Sequence, residues 1–313
     1  MKRPVLISQK LIGFLQEEIS SVCSGKMLRR VLEANLCRVN GRIERFGSTQ
    51  LKKGDIVELA SHWQSAISSS AASQFKILYE DDAVKVVDKP AGWVCSEENC
   101  LRTFKNCFLV HRLDKDTTGV LVLAKHKMSR DGWMERFAKR EVKKQYLAVV
   151  DGIPKEDHGV RESSLVKKKT FQGQTIWGSG HRGLHALTHW RTLATGKDSS
   201  LLLCEPVTGR THQIRVHLAE MGHPILIDRQ YSDRFRSSLF ARRPLLHAWG
   251  LSAGTLSIQS PMPVDMQEAL DSLRINVGHL CELFAKEQHD DSRNHCNDDK
   301  DAEKIRKGAD SSH

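Results

Sequence analysis

The sequence predicts an α+β protein with two domains, and three observations lead to that prediction. Between residues 75 and 260, strand-like segments outnumber helical ones and do not alternate with them regularly, which favours a mixed, mostly antiparallel sheet. The first sixty residues carry a separate pattern of helices, a hairpin and a short strand. Residues 63–74 are uncharged and rich in serine and alanine, as linkers are. We therefore expect a small domain over residues 1–62, this linker, a large domain with a central cleft over residues 75–286, and a disordered tail over residues 287–313.

The small domain is predicted from helix and turn signals. Ser24 is a suitable N-cap for a helix that extends to about Asn35, with Leu28 on its apolar side. Asn40-Gly41 predicts a tight hairpin turn, since both residues adopt a positive φ readily. A short strand from Ile56 to Leu59 completes the unit, so an α/β-hairpin arrangement is expected.

The elements of the large domain follow from the spacing of its apolar residues. Strands are predicted at Val84–Asp88, Gly119–Ala124, Gln145–Val150, His185–Leu193, Leu201–Cys204 and Thr255–Gln259. Helices are predicted at about Arg130–Arg140, Thr211–Met221 and Met266–Lys286. His181, His185 and His189 have the spacing of helical metal ligands, but the glycines around them favour a strand with structural histidines.

Composition restricts the partner and the compartment. The 313 residues carry a formal net charge of +10, and residues 1–62 contribute a surplus of five. Positive charge in both domains suits a polyanionic partner, although an ordinary basic protein would look the same. The eight cysteines contain no C-x-x-C pair, which argues against a zinc site or a disulfide framework. No apolar stretch approaches the ~20 residues of a membrane span, so we expect a cytoplasmic protein without membrane association.

A polar segment between two apolar strands holds the candidate reactive group. Residues 111–119 are rich in charged side chains and threonine, whereas residues 107–110 and 119–124 are predicted to be buried strands. Asp114 is the candidate nucleophile, because a carboxylate can add to an electrophilic carbon and divide one difficult step into two. Arg112 lies two residues away, and a guanidinium keeps a carboxylate ionised and oriented.

A second polar cluster occupies residues 205–217. It passes through a turn at Gly209 into the start of a predicted helix and contains Arg210 and Arg215. The N-terminus of a helix together with arginines is suited to binding anions. A surface salt bridge is the alternative interpretation of any one of these arginines.

Together these segments resemble the family of pseudouridine synthases that modify large-subunit ribosomal RNA and some transfer RNAs. The matching segments are VVDKPAG (86–92), HRLDKDTTGVLVLAK (111–125), KKQY (143–146), TGRTHQIRVHLAEMGHPI (208–225) and LLHA (245–248). The resemblance covers roughly residues 75–260. It implies that uridine in RNA is isomerised without a cofactor and without a metal.

The resemblance also implies roles for particular residues. Asp114 would be the catalytic aspartate and would attack either carbon 6 of the uracil or the anomeric carbon of the ribose. Tyr146 would lie against the flipped base and take the proton from carbon 5, although a core tyrosine is the alternative. Arg215 would pair with Asp114, and Arg112 would help to displace the base. Ile227 departs from the pattern, since the family usually has glycine before the equivalent of Asp228, so this turn is expected to differ.

The first domain resembles a small RNA-binding module first described in a small-subunit ribosomal protein. The matching segments are SGKMLRRVLE, RVNGR and KKGDIVEL. RNA-binding side chains are expected at Lys26, Arg29, Arg30 and Arg42 of this module, and at Arg210 and Arg112 of the large domain. The partner is expected to be structured RNA, ribosomal RNA first and transfer RNA second, bound by a monomer.

Two other functions use the same residues. Asp114-Lys115-Asp116-Thr117 fits the D-x-D-x-T pattern of aspartyl-phosphate phosphatases, but those enzymes need a later acidic pair for magnesium. The later adjacent acidic pairs, at residues 290–291 and 298–299, lie in the tail. A non-catalytic RNA-binding scaffold or chaperone is the second alternative. It would have no use for a carboxylate that faces phosphates, so Asp114 separates it from an enzyme.

Overall fold

A computed structural model of the chain describes residues 1–19, 24–61, 63–64, 75–171, 174–232 and 234–278. Residues 1–275 form one compact unit. Most of the predicted linker and all of the predicted tail lie outside the described residues, so the proposed domain boundaries stay a prediction. In the described part of the chain, no helix is long and apolar enough to cross a bilayer.

The N-terminal residues build a four-stranded sheet with two helices packed on it. Its elements are β1 (Lys2–Pro4), α1 (Leu11–Ile19), α2 (Gly25–Glu33), β2 (Cys37–Val39), β3 (Arg42–Ile43) and β4 (Ile56–Leu59), and the strand order is β1-β4-β2-β3. The backbone N–H of Met27 bonds to Ser24 Oγ at 3.3 Å, so Ser24 caps α2 as expected. Leu28, Val31 and Leu32 are buried and seal this unit's own core.

An eleven-stranded sheet forms the rest of the unit. Its strands are β5 (Lys76–Glu80), β6 (Val84–Lys89), β7 (Phe108–Leu109), β8 (Thr118–Ala124), β9 (Lys143–Asp151), β10 (His158–Phe171), β11 (Gln174–Ser179), β12 (Leu184–Thr195), β13 (Ser199–Pro206), β14 (Leu246–Ala253) and β15 (Leu256–Gln259). Its helices are α3 (Glu97–Thr103), α4 (Lys127–Ala138), α5 (Gln213–Glu220) and α6 (Val264–Ser272). The predicted α+β class with a mostly antiparallel sheet is confirmed.

The order of the strands brings the polar segments together. The path is β11-β10-β12-β13-β9-β14-β8-β6-β5, and β14 with β8 is the parallel pair among the described strands. Gly119 of β8 has φ +111°, and a Cβ atom there would overlap the carbonyl oxygen of Ala248 on β14. Only glycine allows this approach, which fixes the strand directly after the Asp114 segment.

One expectation from the sequence needs correction, and one helix was not predicted. The helix predicted over Met266–Lys286 ends at Ser272, because Arg274 takes a left-handed φ of 56° and Ile275 N–H bonds back to the Leu270 carbonyl. The helix α3 was not expected, because its sequence has no apolar periodicity. It begins at the N-cap Ser96, whose side chain accepts from the backbone N–H of Asn99.

Candidate active site

A cavity of about 460 Å³ contains the predicted catalytic residues. Asp114, Tyr146 and Arg215 line it, and so do Arg112 and Arg210. Asp114 comes from the segment between β7 and β8, Tyr146 from β9, and Arg215 from α5, which follows β13. Since β13, β9, β14 and β8 are consecutive neighbours in the sheet, the fold itself collects these side chains.

Asp114 and Arg215 form an ion pair, and Arg215 is also hydrogen-bonded to Asp228. Arg215 Nη1 donates to Asp114 Oδ2 at 3.0 Å. Its Nε and Nη2 donate to the two carboxylate oxygens of Asp228 at 2.7 and 2.8 Å, and both of these residues are buried. Burial disfavours the guanidinium charge, but Asp228 and then Asp114 outweigh that effect and raise the pKa of Arg215. With Nε and Nη2 bonded to Asp228, and Nη2 also donating to Gln230 Oε1 at 2.8 Å, the guanidinium is oriented so that Nη1 points at Asp114.

A buried lysine supports the segment that carries Asp114. Lys89 is fully buried, and its Nζ donates to the carbonyls of Pro90, Lys115 and Thr117 at 2.8, 2.9 and 2.9 Å. Burial lowers the pKa of Lys89 to about 8. On the other side, His111 Nε2 accepts from Val122 N–H at 2.9 Å, and burial keeps this ring neutral by lowering its pKa to about 3. Both contacts hold the backbone around Asp114 in one conformation.

A tyrosine orients a histidine toward the second oxygen of Asp114. Tyr231 Oη accepts from the Trp177 N–H and lies 2.8 Å from His212 Nδ1. If the phenol donates to Nδ1, the neutral ring carries its proton on Nε2, which lies 3.9 Å from Asp114 Oδ1. Burial and then the charge of Arg215 lower the pKa of His212, which favours this neutral form. His212 has a left-handed φ of 57° at the start of α5, and its side chain makes no capping hydrogen bond.

Tyr146 contributes an aromatic wall beside the carboxylate. It packs against Leu113, Leu121 and Ala248 in an apolar cluster. Burial, and next the charge of Asp114, raise the pKa of its phenol, so the hydroxyl stays protonated at neutral pH. A neutral aromatic ring suits stacking on a flat, uncharged base.

The basic residues expected to bind RNA fall into two groups. Arg112 and Arg210 line the cavity, where Arg112 Nη2 donates to Thr211 Oγ1 at 2.9 Å and Arg210 Nε donates to the His185 carbonyl at 3.0 Å. The other expected residues lie on the N-terminal sheet unit and do not line the cavity. They are the exposed residues Lys26, Arg29, Arg30 and Arg42.

Several cavity and support residues were not predicted as site residues from the sequence. Lys144 lines the cavity, and burial lowers its pKa to about 8. Asp228 and Tyr231 follow a positive-φ turn at Ile227, which is the position marked as a departure from the family pattern. The pairing of Asp228 with Arg215 depends on contacts between separate elements, so local periodicity carries no signal for it. Within the part of the chain that the structure describes, no group of three His, Cys, Asp or Glu side chains is arranged to hold a metal ion.

Comparisons with known proteins identify the family to which this chain is similar. Residues 83–220 match the family model described as RNA pseudouridylate synthase. The chain is 37% identical over 236 residues to ribosomal large subunit pseudouridine synthase D of Nitrosomonas europaea, covering 66% of this chain and 67% of that protein. It is 31% identical over 299 residues to ribosomal large subunit pseudouridine synthase C of Salmonella typhi, covering 85% and 93%.

A solved structure has the same fold. Human RNA pseudouridylate synthase domain containing 4 superposes with a TM-score of 0.55 at 27% identity, covering 64% of this chain and 94% of that one. The matched region contains Asp114, Tyr146 and Arg215. By sequence and fold, this chain belongs to the RNA pseudouridylate synthase family and is an RNA pseudouridine synthase.

Proposed function

We propose that this enzyme isomerises specific uridines in ribosomal RNA and that Asp114 is its nucleophile. The observation that carries the assignment is the asymmetric environment of this carboxylate. Asp114 lines the cavity; its Oδ2 accepts from Arg215 at 3.0 Å, whereas its Oδ1 lies 3.9 Å from Nε2 of the His212 ring. One oxygen is therefore held and the other is available to react.

The reaction breaks one bond and forms another within one nucleotide. The bond between N1 of the uracil and carbon 1′ breaks, the base rotates, and carbon 5 bonds to carbon 1′. The proton leaves carbon 5, and N1 gains one, so no electrons are exchanged with another molecule. Asp114 Oδ1 would add to carbon 6 or to carbon 1′ and leave again when the new bond forms. Arg215 holds Asp114 in place throughout by its hydrogen bond to Oδ2.

Other cavity residues have separate tasks in this proposal. Tyr146 stacks on the flipped uracil and takes the proton from carbon 5 as the base rejoins the ribose. Because its raised pKa keeps the phenol protonated, Tyr146 would take this proton only as its own hydroxyl proton passes on, either to N1 of the uracil, which gains a proton in the reaction, or to water. Arg112 and Arg210 bind phosphates at the cavity mouth, and Arg112 fills the space that the base leaves.

Ribosomal RNA is the substrate favoured by two lines of support. This chain matches 67% and 93% of the length of relatives named ribosomal large subunit pseudouridine synthase D and C. The exposed basic face of α2, with Lys26, Arg29 and Arg30, offers a second contact for a large folded RNA. A non-catalytic scaffold is not favoured, because it would not need the held carboxylate.

Mapping of pseudouridines tests the substrate assignment. RNA from cells that lack this protein should lose pseudouridine at one or a few positions of ribosomal RNA, and a plasmid with the wild-type gene should restore them. Loss of sites only in transfer RNA would refute the substrate. An unchanged map, together with no activity of the purified enzyme on unmodified RNA, would refute the proposed function.

A further inference from the structure

The N-terminal sheet unit is fastened to the rest of the chain by a buried arginine. Arg38 lies in β2 and is 4% exposed. Its Nη1 donates to the Ser237 carbonyl at 3.2 Å, and its Nη2 donates to the Leu239 carbonyl at 2.7 Å. Its guanidinium also lies 4.9 Å from the centre of the Phe240 ring, within the range of a cation–π contact. About two hundred residues separate Arg38 from these partners.

We call residues 236–243, which receive Arg38, the docking segment. Phe240 packs against the apolar core of the N-terminal unit. Asn35, whose φ is 60°, donates from Nδ2 to the Arg242 carbonyl at 2.9 Å. Arg38 and Asn35 of the N-terminal unit and Phe240 of the docking segment therefore join the two parts of the chain by both polar and apolar contacts.

The docking segment is fixed to the large sheet at both ends. At its start, Asp151 at the end of β9 accepts from the backbone N–H of Arg236 and of Ser237, at 2.8 and 3.2 Å. At its end, Arg243 forms a fork with Asp265 at 2.7 and 2.8 Å and also donates to the Asp116 carbonyl at 3.4 Å. Asp116 lies two residues after Asp114. The docking segment thus connects the N-terminal unit with the backbone that carries the nucleophile.

Stability alone does not account for an arginine at position 38. Arg38 has no acid within ion-pair distance among the described residues, and its Nε has no hydrogen-bond partner there. A buried charge costs desolvation energy, and an apolar residue of similar volume is often as stabilising or more so. A guanidinium adds directional hydrogen bonds. Because its planar fork donates to two carbonyls of the docking segment, it fixes the orientation of the N-terminal unit relative to that segment.

From this arrangement we infer that Arg38 is a specificity-determining positioning residue. It holds the basic face of the N-terminal unit at a fixed place relative to the cavity, so that the enzyme prefers uridines in RNAs that reach both surfaces. This inference rests on the proposed function, since it assumes that the exposed arginines of α2 bind the same RNA as the cavity. Arg38 itself is buried and does not contact RNA.

The expected effect is on substrates of different size. A rigidly held second site increases the effective concentration of the target uridine at the first site, by roughly 10²- to 10⁴-fold for linked contacts. Release of the N-terminal unit should remove that gain for a long RNA. A short stem–loop that fills only the cavity should be modified as before.

The test compares Arg38→Met with the wild-type enzyme on two RNAs. Methionine retains an unbranched apolar stem against Phe240 and removes the fork. The substrates are an unmodified full-length RNA and a stem–loop of about 20 nucleotides around the same mapped uridine, a length that one module would cover. Both carry tritium at carbon 5, so released tritium reports isomerisation. The matched control is Arg3→Met, which removes an exposed arginine of the same unit.

For Arg38→Met we expect KM on the full-length RNA to rise by about 10²-fold, the lower end of that range, with kcat nearly unchanged, and no change on the stem–loop. Arg3→Met should leave both substrates unaffected. An equal loss on both RNAs, or no loss on the full-length RNA, would overturn the inference. If Arg38→Met does not fold, Asn35→Gly keeps the positive φ, removes the bond to Arg242 and should show the same selective loss. Failure of the proposed function would differ, since the wild-type enzyme would then modify neither RNA.

Discussion

Replacement of Asp228 by asparagine tests whether Asp228 is needed to orient Arg215 toward Asp114. Asp228 accepts two charge-assisted hydrogen bonds from Arg215, at 2.7 and 2.8 Å. Arg215 is 9% exposed and Asp228 is 1% exposed. Asparagine keeps one acceptor, so about one such bond, on the order of 1.5–3 kcal/mol, is lost. Loss of the negative charge adds to this, up to the ~3–5 kcal/mol typical of a broken buried pair. We expect the free energy of unfolding to fall by about 2–4 kcal/mol.

The activity should change as well, because the hydrogen bond to Asp114 depends on the aim of the same guanidinium. A displacement of about 1 Å in a reacting group can lower a rate by ~10²-fold. We therefore expect kcat for tritium release to fall by roughly that factor, with folding measured by urea titration. Glu220→Gln is the matched control, because Glu220 lies on α5, the helix that carries Arg215, and pairs with Arg161 away from the cavity. A normal kcat in Asp228→Asn would refute the positioning role of Asp228.

Three further predictions concern stability, each measured by denaturant titration. Gly119→Ala should lower the free energy of unfolding by ~3 kcal/mol or more by overpacking. Gly132→Ala, in open space within a helix, should raise it by ~0.5–1 kcal/mol. Equal effects of the two substitutions would contradict the close approach of the strands at Gly119. At Ile227, with φ +70°, the alanine variant should be about 1 kcal/mol less stable than the glycine variant, so the reverse order would contradict the strained turn. Burial lowers the pKa of His217 and His247 to about 4, from 6.5 in an unfolded chain. Their contribution to the free energy of unfolding should therefore be fully present above pH 6.5 and be lost toward pH 4, as the unfolded state binds protons that the folded state excludes. His247→Gln should reduce the loss of stability between pH 6.5 and 5, and an unchanged slope would contradict this.

The strands of the large sheet were predictable because their apolar runs are long. β8 and β9 are almost entirely buried where the sequence reads as continuous valine and leucine, and their predicted ends differ from the observed ones by one or two residues. The end of α6 was not predictable from periodicity, because the backbone turns at Arg274 through a left-handed φ that no local signal requires of arginine.

The site was predictable to the extent that its residues lie in dense polar segments. Asp114, Arg112, Arg210 and Arg215 stand in two such segments, and the resemblance to a family links them with Tyr146. The supports were not predictable in the same way. Lys89 reads as an ordinary charged residue, and only the folded chain shows it buried under three carbonyls.

Arg38 illustrates the same limit for the N-terminal unit. In the sequence it is one basic residue among many in a region expected to bind RNA. In the structure it is buried against a segment two hundred residues away, while its neighbours Arg29 and Arg30 are exposed. Burial depends on tertiary contacts with distant chain, so charge counts cannot separate these two uses of arginine.

The most direct test of the central claim is Asp114→Asn, measured for isomerisation and for RNA binding in the same preparation. The amide keeps the size of the side chain but cannot add to carbon as a carboxylate does. We predict no tritium release from RNA labelled at carbon 5, with an affinity for that RNA equal to or tighter than that of the wild-type enzyme. Isomerisation by Asp114→Asn at a substantial fraction of the wild-type rate would contradict the assignment of Asp114 as the nucleophile.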